Sequence, residues 1–281
     1  MIENIRNICR ENQQLLWLAT DRPERTGSPL TSNINYRFNS RGFRDHEWPD
    51  NLDNTSWLLG GSHMVGVGLS FEDTATVQLN SINVSILNAS NSWIARQILW
   101  LFAENIKINN VIIQWQSVLS TELDLKQAKS LEFLALYKDI KKFHWPKVKT
   151  VQDLNLVNPI IMENLDQDPY GRKVNRMRGA QETAQIPYRP ERLFCMGGAR
   201  SLIEDIVSVE AACLCDTKLI HAFAPGFATD KEKQYIYSTL DEMQISYVPE
   251  LKQIDYSRDN KHSGIQTVRH FVAQVKDQLV C

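Results

Sequence analysis

No stretch of this chain is apolar for long enough to cross a bilayer: charges interrupt every hydrophobic run well short of the roughly 20 residues a spanning helix needs. The opening residues, MIENIRNICRENQQLLWLAT, are too polar for a signal peptide, so a cytoplasmic location with no membrane partner is expected. There is no basic run and no acidic tail, and a net charge of -2 gives a nucleic acid nothing to hold. Cysteine is scarce and unpatterned. Cys9, Cys195, Cys213, Cys215 and Cys281 make an odd set, and Cys213 and Cys215 stand one residue closer than a zinc or redox pair requires. Reduced thiols serving as small apolar residues fit this usage. The six histidines include no HExxH and no paired spacing, so no metal and no cofactor is expected. Internal repeats and low-complexity tracts are lacking as well.

What is present suits a soluble enzyme-sized domain. The chain is 43% hydrophobic and 23% charged, and its 281 residues can bury one large α/β core. A leading helix is expected over 2–18, with Ile2, Ile5 and Cys9 at helical spacing. Residues 21–55, rich in Pro, Gly, Asn and Asp, read as an irregular lead-in. Then apolar runs alternate with amphipathic stretches. Trp57-Leu58-Leu59, Val84-Ser85-Ile86-Leu87, Val111 to Trp115, Leu193 to Met196, Lys218 to Phe223 and Ile245 to Val248 read as strands. Helices are expected at about 93–105, 201–213, 231–243 and 264–279. The stretch 117–192 breaks the alternation with a charged helix at about 126–143 and a Pro/Asn/Asp-rich tract. It reads as an insertion over the core, a lid or a substrate-facing cap.

Strands alternating with helices imply a parallel sheet covered on both faces, with sites where strands end and loops begin. Three such places carry polar residues: Gly60 to Gly66, Asn88 to Ser92, and Asp255 to Ser263. In the first, Ser62 sits where a strand turns sharply into a helix, its hydroxyl exposed and its N–H free to hold an anionic oxygen. The same Gly-Gly-Ser could be a plain turn with a capping serine. In the third, Asp259 and His262 lie three residues apart in a loop, close enough for the carboxylate to take the imidazole Nδ1–H and leave Nε2 to accept a serine proton. The plainer reading makes Asp259 or Ser263 a helix cap and leaves His262 exposed. His270, further along, fits a helix face. Met196-Gly197-Gly198-Ala199-Arg200-Ser201 lacks a phosphate-loop ending and reads as a tight turn with a capping serine. Trp93 and Trp115 could pack a sugar or acyl chain near the mouth of the site, although core packing is the commoner use of such tryptophans.

The segment GGSHMVGVGLSFEDTATVQL resembles the first block of the SGNH/GDSL hydrolases, Gly-Asp-Ser followed by apolar residues and Gly-x-Gly. RDNKHSGIQTVRHFVAQV resembles their last block, Asp-x-x-His, followed by an apolar helix. SILNASNSWIARQIL is similar to the second block, and FNSRGFRDHEWP to a lead-in found in bacterial members. The resemblance does not extend to 117–192. It implies a three-layer α/β/α domain with a flavodoxin-like sheet, Ser62 as nucleophile, His262 as general base and Asp259 as its orienting carboxylate. It also implies an oxyanion hole, which here would draw on Ser62, Ser90, Asn91 or Gln114. The family's Asp before the serine is Gly61, its second-block glycine is Ser90, and no Gly-x-Asn-Asp follows the third strand, where the chain reads IIQWQSVLS. Gln114, Gln116, Ser117 or Asn91 would have to stand in for that asparagine.

The expected activity is hydrolysis of an ester, an O-acetyl or other acyl group on a carbohydrate or small metabolite, through an acyl-enzyme. Acyl transfer on the same triad is an alternative, and so is a catalytically weakened fold of this type used for binding or assembly.

Overall fold

The apolar runs around Trp57, Val111 and Leu219 lie side by side as the middle of a parallel sheet. The computed structural model describes residues 34–118 and 190–280, except Asn88, Asn105, Leu214, Cys215 and Asn260, together with Ile5, Asn7, 10–16 and Leu18. For 190–198 only the helical backbone is described. The expected helix at 126–143 and most of the 117–192 insertion therefore lie outside the described residues.

In chain order the elements are β1 (Gln14–Leu15), β2 (Tyr36–Arg37), β3 (Thr55–Leu59), α1 (Ser62–Val65), α2 (Ala75–Leu79), β4 (Ile82–Asn83), α3 (Asn91–Ala103), β5 (Ile108–Trp115), α4 (Pro190–Ala212), β6 (Lys218–Phe223), α5 (Asp230–Glu242), β7 (Tyr247–Val248) and α6 (Ile265–Val280). The five-stranded sheet runs β4-β3-β5-β6-β7, parallel throughout. Ranked by sequence, those strands lie in the order 2-1-3-4-5. The chain therefore winds outward in opposite directions from the β3/β5 boundary, which is where a doubly wound sheet opens a crevice at its carboxyl edge.

Side chains on a strand alternate between its faces. Trp57 and Leu59 of β3, Val111, Ile113 and Trp115 of β5, and Phe223 of β6 share one cluster with Ile94, Ile98 and Leu101 of α3, Ile206 and Val209 of α4, and Ile236 and Leu240 of α5. Leu58, Ile112, Ile220 and Ala222 join Ala75 of α2 and Val268, Phe271, Val272 and Val275 of α6 on the other side. The result is a three-layer α/β/α arrangement, helix layers covering both faces of the sheet.

Several expectations are corrected. The leading helix does not extend through 10–16, which form a turn and then β1, paired antiparallel with β2. Asn12 there has φ 55°, a left-handed conformation that ends any helix, and its N–H bonds Asn39 O. The strand expected at Leu193–Met196 and the turn at Met196–Ser201 are both inside α4, a single helix of 23 residues beginning at Pro190. Proline is well suited to that first position because its missing N–H would have no acceptor there. Packing of Leu202, Ile206 and Val209 on the sheet outweighs the roughly 1 kcal/mol that each interior glycine costs. The second strand is Ile82–Asn83 rather than Val84–Leu87, although Val84 N and Ile86 N continue bonding to Leu58 O and Gly60 O along β3.

The lead-in is irregular from 38 to 54, but it is no loose linker. Phe43 and Arg44 are buried, and Ile34, Tyr36 and Phe38 form a third apolar cluster with Val65, Val67 and Leu87. It covers the loop that follows Ser62. Among the described residues no helix is long and apolar enough to cross a membrane.

Candidate functional site

Strand β3 ends at Leu59, and after Gly60 and Gly61 Ser62 opens α1, a single turn. As the first residue of a helix it has no intrahelical acceptor for its N–H. Across the crevice, Tyr256 and Ser263 form an antiparallel bridge and Ser257 N donates to His262 O at 2.8 Å, so the 256–263 loop is a small hairpin with Asp259 and His262 at its tip. The tip meets the turn: His262 Nε2 lies 2.7 Å from Ser62 Oγ, and His262 Nδ1 hydrogen-bonds Asp259 Oδ2. The three residues picked from the sequence are thus brought into one chain of hydrogen bonds, serine to imidazole to carboxylate.

Asp259 is closed off from water, at 1% exposure, and its second oxygen is saturated. Oδ1 accepts the N–H groups of Lys261 and His262 and the Ser257 hydroxyl, each at 2.9 Å. Burial pushes its pKa up, but the hydrogen bond and charge of His262 and the two backbone N–H groups outweigh this and hold it at about 2. It is an anion that orients the imidazole through Nδ1 and turns Nε2 toward Ser62. Neither Asp259 nor Ser263 caps α6. Asp255 does, accepting from Gln266 N, Thr267 N and Thr267 Oγ1. His270 is exposed on α6, and Trp93 and Trp115 are core residues at 3% and 0% exposure rather than part of the site mouth.

Of the side chains expected in the oxyanion hole, Ser90 and Asn91 are bonded elsewhere and Gln114 is buried. Ser90 Oγ caps α3 by accepting Trp93 N at 3.0 Å. Asn91 ties α3 to the end of β5: its Oδ1 accepts Gln116 N at 2.7 Å and its Nδ2 donates to Gln116 O and Ser117 O, both at 3.3 Å. Gln114 is fully buried in the sheet, and its Nε2 has no hydrogen-bond partner among the described residues. The side-chain amide that does reach the Ser62 turn is that of Gln116. A Cβ on Gly61 would fall 2.2 Å from its Oε1 and 3.1 Å from its Nε2, so the absence of a side chain at 61 is what admits Gln116. Its Nε2 donates to Gln114 O at 2.9 Å.

Sequence patterns missed the parts that hold the turn and the hairpin together. Arg44, at 1% exposure, donates from Nη1 to Val65 O and Gly66 O and from Nη2 to Leu69 O, tethering the stretch after Ser62. Its guanidinium lies 4.4 Å from the Tyr36 ring centre, and that of Arg258, next to Asp259, lies 5.7 Å from the same ring. Tyr36 Oη accepts Gly68 N at 2.7 Å. Gly68 in turn rests on Ser257, whose hydroxyl bonds Asp259. An isolated arginine and tyrosine in an irregular tract carry no periodic signal, so only the fold reveals them.

Next to Ser62, His63 Nδ1 lies 2.8 Å from Ser263 Oγ, and its ring meets that of His262 edge-on with centres 5.1 Å apart. A cavity of about 520 Å³ lies at the opposite end of the sheet, between Trp48 and Leu52 of the lead-in and Glu104 and Ile106 before β5. Among the described residues no three His, Cys, Asp or Glu side chains gather as a metal site. Comparison with protein-family models finds no match to this chain, and comparison with curated proteins finds none either.

Proposed function

We propose that this chain is an ester hydrolase of the SGNH/GDSL type, acting through an acyl-enzyme on Ser62. The observation that carries the reading is the hydrogen-bonded series Ser62 Oγ, His262 Nε2, His262 Nδ1, Asp259 Oδ2, at the carboxyl edge of a sheet in the flavodoxin-like order 2-1-3-4-5. Ser62 Oγ attacks the ester carbonyl while its proton passes to His262 Nε2. Asp259 stabilises the imidazolium that forms. Collapse of the tetrahedral intermediate expels the alcohol, which takes that proton back. Water, deprotonated by the same imidazole, then attacks the acyl-enzyme, and the acid and free Ser62 are released.

The donors offered to the oxyanion are the backbone N–H groups of Ser62 and Ser90, because the Gln116 amide turns Oε1 toward position 61 and holds Nε2 on Gln114 O. The substrate class is a small-molecule or carbohydrate ester.

A second reading, a weakened site on the same fold used for binding, is supported by Ser90 and Asn91, whose side chains are bonded elsewhere, and by Gln114, which is buried in the sheet. One lost oxyanion donor costs about 10²–10³ in rate. Turnover of p-nitrophenyl acetate separates the two. A hydrolase releases p-nitrophenol, and Ser62→Ala removes at least about 10³ of that rate. A folded wild type no faster than Ser62→Ala favours the binding reading.

A further inference from the structure

The dipeptide Ser62-His63 meets the dipeptide His262-Ser263, and the two pair reciprocally. Ser62 bonds His262, and His63 bonds Ser263. Building on the hydrolase reading, we infer that the second pair is a strap that holds the His262 imidazole against Ser62, with His63 as a positioning residue for the reaction.

The second pair is not a second nucleophile. Ser263 is 1% exposed, and no carboxylate bonds the other nitrogen of His63 among the described residues. Its geometry is that of an anchor. His63 Nδ1 receives the Ser263 hydroxyl at 2.8 Å and the Ser263 N–H at 3.3 Å, so this nitrogen carries the lone pair and the ring proton sits on Nε2. Ser263 is also paired with Tyr256 across the hairpin. The backbone flanking His262 is therefore gripped from two sides, by its own hairpin and by the residue next to the nucleophile. Without the second grip, the contact between Ser62 and His262 would depend on its own hydrogen bond and on the packing of Gly68 against Ser257 and Arg258 further along the hairpin.

The strap is strongest while His63 is neutral, because a proton on Nδ1 would face the Ser263 N–H and force the Ser263 hydroxyl to turn round. Burial lowers its pKa first, and neighbouring His262 lowers it further against the opposing pull of Asp259, leaving it at about 3. These are the ionisable groups that act on it from the facing hairpin. A neutral ring beside His262 also adds no like charge when His262 takes up the serine proton.

Three variants and two readouts test this. His63→Phe keeps a ring but loses the acceptor, His63→Asn restores an acceptor through Oδ1, and Ser263→Ala removes the hydroxyl but keeps the N–H. The first readout is the saturating rate and half-saturation of Ser62 phosphonylation by a fluorophosphonate. The second is the low-field NMR resonance of the His262 Nδ1 proton shared with Asp259, which does not depend on turnover. A strap predicts a folded His63→Phe whose saturating rate falls about 10- to 100-fold with half-saturation unchanged, His63→Asn within about threefold of wild type, and Ser263→Ala in between. The low-field resonance broadens or shifts in His63→Phe and is retained in His63→Asn. Equal rates and an unmoved resonance in His63→Phe, or His63→Asn no better than His63→Phe, overturn the strap. If wild-type protein is not phosphonylated, the hydrolase reading fails. The resonance then decides the strap alone, upheld if it moves in His63→Phe and returns in His63→Asn, overturned otherwise.

Discussion

A carboxyl group withdrawn from water holds its proton more tightly unless donors repay it, and two aspartates here fall on either side of that balance. Asp259 has His262, two backbone N–H groups and a hydroxyl around it and stays ionised, with a pKa of about 2. Asp45 accepts the N–H groups of Asn83 and His46, each at 2.8 Å, but burial outweighs them and raises it to about 6. Its folded pKa exceeds its unfolded one of 3.8, so the stability it contributes is complete below about pH 4 and is lost as pH rises through 6. Asp45→Asn, uncharged at every pH, escapes that loss. Its melting temperature relative to wild type should improve by about 2–5 °C between pH 5 and pH 8, read by calorimetry across that range. A difference that is flat or falls with pH contradicts the shift. At this scale the sequence shows a residue when its partner is near in the chain. Asp259 and His262, three apart, were legible. The His63–Ser263 pair, separated by 200 positions, was not, because nothing local marks a histidine that follows a serine as special.

Elements of the lead-in, the nucleophile turn and the hairpin converge on Gly68. Its φ is +78°, and a Cβ there would lie 2.3 Å from Ser257 Oγ and 2.7 Å from Ser257 Cβ. Any push on Ser257 reaches Asp259 through their 2.9 Å hydrogen bond. Gly226 provides the control, since its φ is +66° but a Cβ there would meet open space. Gly226→Ala should cost only the left-handed penalty of about 1–2 kcal/mol. Gly68→Ala should cost about 1 kcal/mol or more beyond that, and it alone should slow labelling of Ser62. Urea denaturation of both variants measures the difference, and equal losses would show that Gly68 is not a joint. The Gly-x-Gly spacing was visible in the sequence, but what the second glycine abuts was not. Helices with clean apolar faces, α3, α5 and α6, were placed within a residue or two. The start of α4 was misread because Gly197 and Gly198 look like a turn, and tertiary packing decides against that local preference.

The whole molecule follows from the alternation of apolar strands with amphipathic helices, a pattern the sequence displays from Trp57 to Ile113, with the second strand read two residues late, and again from Ser201 onward. That pattern dictates a parallel sheet with covered faces, and the 2-1-3-4-5 order then sets the crevice beside β3 and β5, where Ser62 and Gln116 lie. The polar finish of the site was less legible. Whether an amide such as Asn91 or Gln116 faces the nucleophile or ties two loops together depends on a few ångströms of packing, and the sequence carries no record of that. Activation of Ser62 by His262 and Asp259 is open to a direct check: labelling with a fluorophosphonate probe, wild type beside Ser62→Ala and His262→Ala. The wild type should label, and both variants should lose the labelling. A folded wild type that does not react, or a Ser62→Ala variant that labels equally well, would contradict it.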